Sequence, residues 1–251
     1  MKIRDMKILL LNPNTTELMT RDMEEQARRY ARPGTEIEGV TARFGAASIE
    51  GFYEEEYAIL HFLETIKERA SEFDGVILAC YGDPGLYAAR EISPVPVVGI
   101  AEASMLFACT VAHRWSIVTV LPRIKPMMEG MVRLHGFESR CASIRTTPLS
   151  VLDCERDPAA AEREIAKAAK AAVTEDGAEA ILLGCGGMGP LDQRVGAALP
   201  GVPVIDGIAC AVKLIEGLVD YGLTTSRVAA FKEPEPKPFV DYPGPAVVVS
   251  A

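Results

Sequence analysis

"LACYGDPGL" (residues 78–86) and "LLGCGGMGP" (182–190) run the same course: an apolar stretch arrives at a cysteine and then breaks into a glycine-containing turn. Their surroundings repeat too. "DGVILACYG" (74–82) matches "AEAILLGCG" (178–186), and "VPVVGIAEA" (95–103) matches "VPVIDGIACA" (202–211) with one insertion. A sequence that delivers a thiol twice to the end of a buried strand reads as a duplicated unit, and the fold is worked out from that duplication.

Working outward, β-rich apolar runs alternate with helical stretches. Strands are expected at "MKILLLNP" (6–13), "TEIEGVTA" (35–42), 74–82 and "PVPVVGI" (94–100). Between them fall helices over 15–31, capped by Thr15 or Thr16, over 53–72, 84–92 and 102–113. Apolar positions of the second helix include Tyr57, Leu60, Phe62, Leu63 and Ile66. The pattern then restarts with strands at "WSIVTVL" (115–121), "RCASIRTT" (140–147), 178–186 and "GVPVIDGI" (201–208), and helices over 124–135, 158–176, 190–199 and 209–221. Strands separated by helices imply parallel βα units. Eight such units could close a barrel, which takes about 250 residues, but the internal repeat favours two similar four-stranded α/β lobes. The tail "KEPEPKPFVDYPGPAVVVSA" (232–251) holds five prolines and cannot be helical. It reads as an extended segment, with "AVVVSA" able to pair at a sheet edge or in an oligomer.

Composition narrows the function. The chain has 251 residues, is 49% hydrophobic and 24% charged, and carries a formal net charge of −9. That supports a globular core and excludes the basic surface expected of a nucleic-acid binder. The charge-free run Ala180–Leu191 is too short for a membrane span, which needs about 20 apolar residues. The N-terminus lacks the pattern of a signal peptide. Six cysteines without a CxxC pair, in a chain with ample core, fit a reduced, cytoplasmic setting. Three scattered histidines give no zinc spacing, so no metal is expected.

Ligands of open parallel sheets bind beyond the carboxyl ends of the strands, where both Cys80 and Cys185 fall. Asp83-Pro84 and Gly189-Pro190 place proline where a helix would begin, so each sulfur should lie near free N–H groups that lower its pKa. Gly82, Gly85, Gly186 and Gly187 permit close approach of a small ligand. Two thiols meeting across a cleft suit one chemistry: one, as thiolate, removes a proton from carbon, and the other returns a proton on the opposite face. That inverts a stereocentre without metal or cofactor. Cys109, Cys141, Cys154 and Cys210 read as packing residues.

"LNPNTT" (11–16), "ASIEG" (47–51), "ACYGDPGL" (79–86) and "LGCGGM" (183–188) together resemble the hydantoin racemase family, which includes allantoin racemases, within the aspartate/glutamate racemase superfamily. The resemblance spans roughly residues 6–220. It implies an α/β fold of two pseudo-symmetric flavodoxin-like lobes, each with a four-stranded parallel sheet flanked by helices. Residues 1–100 with 208–251 would form the first lobe, carrying Cys80, and 101–207 the second, carrying Cys185. The site would lie in the cleft between them. Cys80 and Cys185 become the acid/base pair of a cofactor-independent racemase. Asn14 and Thr15 would hydrogen-bond the substrate, Phe44 and Gly45 line the pocket, Tyr81 and Gly186 offer backbone N–H groups to a developing enolate, and Thr119 contact the ring. Asp83 reads as a helix cap. A homo-oligomer acting on a small cyclic ureide is implied.

The sequence departs from the family pattern at Tyr81, Ala46 and Val120. It also lacks the side chains that hold an α-carboxylate after each cysteine in amino-acid racemases, which favours a neutral ring. Three readings stay open beside this one: an aspartate/glutamate-type racemase, a maleate-type cis–trans isomerase, and a small-molecule binder without catalysis.

Overall fold

The computed structural model describes residues 4–189 and 191–238, so Pro190 and the "AVVVSA" segment lie outside the described residues. Strand β1 (Met6–Asn12) is buried at every position except Lys7, the pattern of a central strand covered on both faces. It pairs in parallel with β2 (Thr35–Thr41) and β3 (Gly75–Leu78), and β3 pairs with β4 (Val97–Gly99), giving the order β2-β1-β3-β4. The second sheet repeats this arrangement. Its strands β5 (Trp115–Thr119), β6 (Cys141–Thr146), β7 (Ala180–Leu183) and β8 (Val204–Asp206) run in parallel in the order β6-β5-β7-β8. The duplicated lobe read from the sequence is therefore present, and the eightfold barrel is not.

Nine α-helices occur among the described residues: α1 (Glu17–Tyr30), α2 (Phe52–Arg69), α3 (Leu86–Ile92), α4 (Ile100–Val111), α5 (Lys125–Leu134), α6 (Val151–Arg156), α7 (Pro158–Asp176), α8 (Leu191–Ala197) and α9 (Gly207–Tyr221). Strand alternation sorts the core. Leu9 and Leu11 of β1 pack with Phe62, Ile66 and Leu86 beneath α2 and α3. Ile8 and Leu10 face the other way, into a larger apolar cluster that includes Trp115, Ile117 and Leu182 of the second lobe. One continuous core thus joins the two sheets.

The helix ends follow local chemistry. Asp157 accepts from the Ala160 amide at 2.9 Å and Pro158 opens α7, which stops at Gly177 with φ +72°. Asp206 caps α9 through the Ala209 amide at 2.7 Å. Helix α6 has no counterpart among the elements expected from the sequence. Its signal is the capping box in which Ser150 and Asp153 satisfy each other's amides. Tyr57 and Leu60, expected on the buried stripe of α2, are exposed, and the stripe runs through Ala58, His61, Phe62, Thr65 and Ile66. Thr16 does stand at the N-cap of α1, but its side chain does not cap. It donates to the Ala47 carbonyl at 2.8 Å, while Asn14 Oδ1 accepts the Thr16 amide at 2.9 Å.

Helices α4 and α9 follow the last strands of their sheets and pack against each other. Gly207 makes this approach possible, because a Cβ there would lie 2.6 Å from the Ile100 carbonyl oxygen. Gly207→Ala should cost about 1–3 kcal/mol in urea denaturation through overpacking. On the same helix Gly217 faces open space, with nothing within 4 Å of where an added methyl group would stand. Gly217→Ala should therefore be neutral or stabilising by up to about 1 kcal/mol. Equal effects at the two positions would contradict a close contact at Gly207.

Candidate active site

Strand β3 makes its last ladder bond from the Ala79 amide to the Leu11 carbonyl, at 2.9 Å. In the second sheet the Gly184 amide reaches the Val118 carbonyl at 2.8 Å. The next residue in each case is the cysteine. After Cys80 the chain turns sharply, with the amides of Gly82 and Asp83 both donating to the Cys80 carbonyl. After Cys185 a single 3₁₀ turn (Gly186–Met188) opens with the Met188 amide on the Cys185 carbonyl. The two thiols thus occupy equivalent stations just past the carboxyl ends of equivalent strands. Both line one cleft between the strand ends.

Asp83 holds the first turn in place. It adopts φ +50°, a strained conformation for a residue with a side chain. Its buried carboxylate accepts from the amides of Ala101 (3.0 Å) and Glu102 (2.7 Å), at the start of α4. Gly99 leaves room for that carboxylate, which a side chain there would overlap. Asp83 also lies 3.4 Å from Nε2 of His135, at the end of α5. It is the helix cap expected, and the helix it caps is α4. Helix α3 begins only at Leu86, after Gly85 at φ +69°, so Pro84 belongs to the turn and not to a first helical turn. In the second lobe, the Thr119 hydroxyl donates to the Gly184 carbonyl at 2.7 Å and Gln26 Nε2 donates to the Gly189 carbonyl at 2.9 Å.

Of the residues singled out in the sequence, Asn14, Cys80, Tyr81, Gly82, Cys185, Gly186 and Gly187 line the cleft. Asn14 is buried in a network where Asn12 Nδ2 donates to its Oδ1 at 3.0 Å. The Tyr81 hydroxyl is engaged with Ser104 at 2.8 Å. Four others stand off the wall. Thr15 turns its hydroxyl to the Ala46 carbonyl. Phe44 packs edge-on against His61 and is 38% exposed. Gly45, at φ +115°, has open space around it. Thr119 is fully buried, its hydroxyl spent on Gly184. The sequence reading missed the wall contributed by Met19, Met23, Met127 and Met128, and it missed Glu55. The spacing of Met19 and Met23 by one helical turn was a visible signal, but it reads equally well as core.

The electrostatics correct one expectation. Burial is the largest influence on both thiols and it raises their pKa values. Cys80 is pushed well above its ordinary value by burial, then by the nearby charges of Glu55, Cys185 and Asp83. Cys185 is pushed up to about 11, again first by burial; the Gly187 amide, which donates to its sulfur, pulls it back, and Glu155 and Glu50 raise it further. The free amides expected to lower the thiols are present in part, but desolvation of the thiolate outweighs them. As whole residues both cysteines are half-buried.

Two parallel lobes, each bringing one thiol to a shared cleft, define a class of protein by architecture. The comparisons agree on which one. The chain belongs to the Asp/Glu/Hydantoin racemase family, whose model matches residues 8–215. It is 49% identical to the hydantoin racemase of Pseudomonas sp. (strain NS671) over 236 residues, 94% of each chain. Its fold matches the allantoin racemase of Pseudomonas fluorescens with a TM-score of 0.91 at 43% identity, over 94% of this chain and 100% of that one. The allantoin racemase of Klebsiella pneumoniae matches with a TM-score of 0.90 at 44% identity, over 94% of this chain and 96% of that one.

Alkylation of the protein without substrate tests the thiol electrostatics. Below its pKa a thiol gains about tenfold in thiolate per pH unit, so iodoacetamide labelling of Cys185, followed by mass spectrometry, should climb steadily from pH 7 to pH 10. A plateau reached below pH 8 would mean that the amides outweigh desolvation.

Proposed function

We propose that this protein is a racemase that inverts C5 of 5-substituted hydantoins or of allantoin by a two-base transfer between Cys80 and Cys185. One observation carries the reading: two cysteines from equivalent stations of two sheets line a single cleft. One thiolate takes the C5 proton, the adjacent ring carbonyl takes the negative charge as an enolate, and the other thiol delivers its proton to the opposite face. Each turnover leaves the protonation of the two sulfurs exchanged, so no net acid or base is consumed.

The raised thiol pKa values fit a carbon acid. A thiol titrating at about 11 is ionised in about one molecule in ten thousand at pH 7. The thiolate it yields is correspondingly basic, which narrows the gap to a weakly acidic C–H bond. Backbone N–H groups at Tyr81 and Gly186 are the candidates for stabilising the enolate, and Asn14 for orienting the ring. The off-wall positions of Thr15 and Thr119 assign them supporting parts: Thr15 ties the Asn14 loop to Ala46, and Thr119 fixes Gly184 beside Cys185.

The wall also bears on the choice of substrate. Among the described residues no lysine, arginine or histidine lines the cleft, and the acidic side chain on its wall is Glu55. A free amino acid would bring a carboxylate with no cation to receive it, whereas a neutral cyclic ureide meets no such penalty. The methionines from α1 and α5 give a flexible apolar face for a variable 5-substituent. The named relatives, hydantoin and allantoin racemases, support the same substrate class. A cytoplasmic setting, which keeps both thiols reduced, and a division into lobes at 1–100 with 208–251 and at 101–207 belong to this reading.

Polarimetry on a panel of single-enantiomer 5-substituted hydantoins and allantoin tests it. The wild type should bring at least one of them to the racemate without added cofactor. Cys80→Ser and Cys185→Ser should each lower inversion by at least about 10³-fold, the scale expected for losing a proton-transfer group. Inversion at wild-type rate in either variant would overturn the two-base scheme.

A further inference from the structure

Beside each cysteine stands a carboxyl group for which proton transfer between the two sulfurs has no use. Glu55 lies one turn into α2, the helix that follows β2. Glu155 lies one turn into α6, which follows β6, the equivalent strand of the other sheet. Each reaches over the glycine turn behind its cysteine. A Cβ added at Gly82 would sit 3.0 Å from Glu55 Oε1, and one added at Gly187 would sit 3.3 Å from Glu155 Oε1. Gly82 and Gly187 are each two residues past their cysteine. The pseudo-symmetry that duplicates the thiols therefore duplicates a carboxyl as well.

From this geometry, and resting on the racemase reading above, we infer that Glu55 and Glu155 are positioning residues that exchange the protons of Cys80 and Cys185, respectively, with solvent. A racemase with two buried thiols needs such a route. The reactive form has one thiol and one thiolate, so an enzyme holding two neutral thiols must shed a proton before its first turnover. Because each inversion leaves the protonation of the two sulfurs exchanged, one sulfur must lose a proton to water and the other regain one before the same enantiomer can react again. In the step, a cysteine S–H bond breaks, its proton passes to the glutamate carboxylate, and the carboxylic acid so formed releases it to water. Both glutamates are half-buried.

The surroundings of each carboxyl are compatible with that task. Glu55 faces Cys80, and Glu56 on the same helix acts on its charge. Burial, then Glu56, raises it to about 7. At the start of α2, Glu54 and Arg123 flank Gly51, and beyond Cys80 the Asp83 carboxylate is committed to the amides of α4. Glu155 faces Cys185 and Cys154, with Asp22 of α1 as its main charged neighbour. Burial, then Asp22, raises its pKa. Around it Asp153 pairs with Ser150 and Arg156, Asp157 caps α7, and Glu50 accepts the Val151 amide. Glu55 must be ionised to accept a proton, so activity limited by this step rises with pH through the Glu55 titration.

The test measures kcat against pH on 5-benzylhydantoin and allantoin, together with deuterium wash-in at C5 in D2O. The wild-type profile should rise through a limb near pH 7. Glu55→Gln should lack that limb and lose at least 10-fold in kcat at pH 8 with KM within twofold, and Glu55→Asp should restore part of both. Wash-in assigns each glutamate to its own sulfur. With Cys185→Ser, where exchange runs through Cys80, adding Glu55→Gln should cut it at least 10-fold and adding Glu155→Gln should not; with Cys80→Ser the dependence should reverse. Folding is checked by thermal denaturation. Glu55 ionises above about pH 4.5 when unfolded but only near 7 when folded, so its charge destabilises the fold as pH rises through that window. Glu55→Gln should therefore raise Tm at pH 8.5 and leave it unchanged at pH 4. An unaltered pH limb in Glu55→Gln, or equal loss of wash-in by both glutamate variants in both cysteine backgrounds, would overturn the inference while leaving the racemase reading intact. A wild type that neither racemises nor exchanges either compound would overturn both.

Discussion

Taking two sulfur atoms out of water at the ends of two parallel sheets is the constraint around which the rest of the molecule is arranged. Parallel strands that are buried on both faces stop where their ladder bonds run out, and the residue just past that point faces the cleft. Here that residue is cysteine in both sheets. The strand ends at Ala79 and Gly184 are fixed by bonds to Leu11 and Val118, so the stations of the two thiols are set by the register of the central strands and not by flexible loops. The cost of this placement is a thiolate that is hard to form. In the proposed two-base scheme, the same burial makes that thiolate a strong base toward carbon, the property that stereoinversion at C5 would require.

Holding the thiols in place falls to polar groups that touch neither sulfur. The Asp83 carboxylate binds the turn behind Cys80 to the first amides of α4, at the expense of a left-handed backbone at Asp83 itself. Thr119 binds the residue before Cys185, and Gln26 reaches across from α1 to the Gly189 carbonyl. Glu50 accepts the Val151 amide at 2.8 Å and links the loop before α2 to the start of α6. The bonds made by Gln26 and Glu50 run from helices and loops around the first sheet to those around the second, so the walls of the cleft are connected by more than the shared core.

Much of this was legible in the chain. The two cysteine-to-glycine stretches and the repeated "VPV" strands revealed the duplication, because a buried parallel strand is a short continuous apolar run that sequence displays directly. The succession of strands along the chain held throughout, and most errors lay at element ends: 74–82 overran the strand because Cys80 to Gly82 are apolar or small while already forming the turn. Helix α6 escaped notice because its six residues carry no amphipathic period, only a capping box. The site was harder to read. Phe44 and Gly45 sit in a loop whose path no local pattern determines. Thr119 points to Gly184 because that carbonyl is the nearest acceptor, a tertiary fact. The thiol pKa values went the wrong way because sequence displays nearby N–H groups and glycines but not the depth of burial, and depth dominates. Glu55 and Glu155 were invisible because their kinship is spatial: each lies far along the chain from its cysteine.

The most direct test of the account is the fate of deuterium during the first few per cent of reaction in D2O, starting from one pure enantiomer of a hydantoin that the protein racemises. Mass spectrometry is applied to the two enantiomers after chiral separation. Transfer between two sulfurs predicts that the newly formed enantiomer carries deuterium at C5 while the remaining starting enantiomer stays largely protiated, because each face is served by its own thiol. Deuterium appearing in both enantiomers at equal rates from the start would mean that one group serves both faces, and would contradict the division of labour between Cys80 and Cys185.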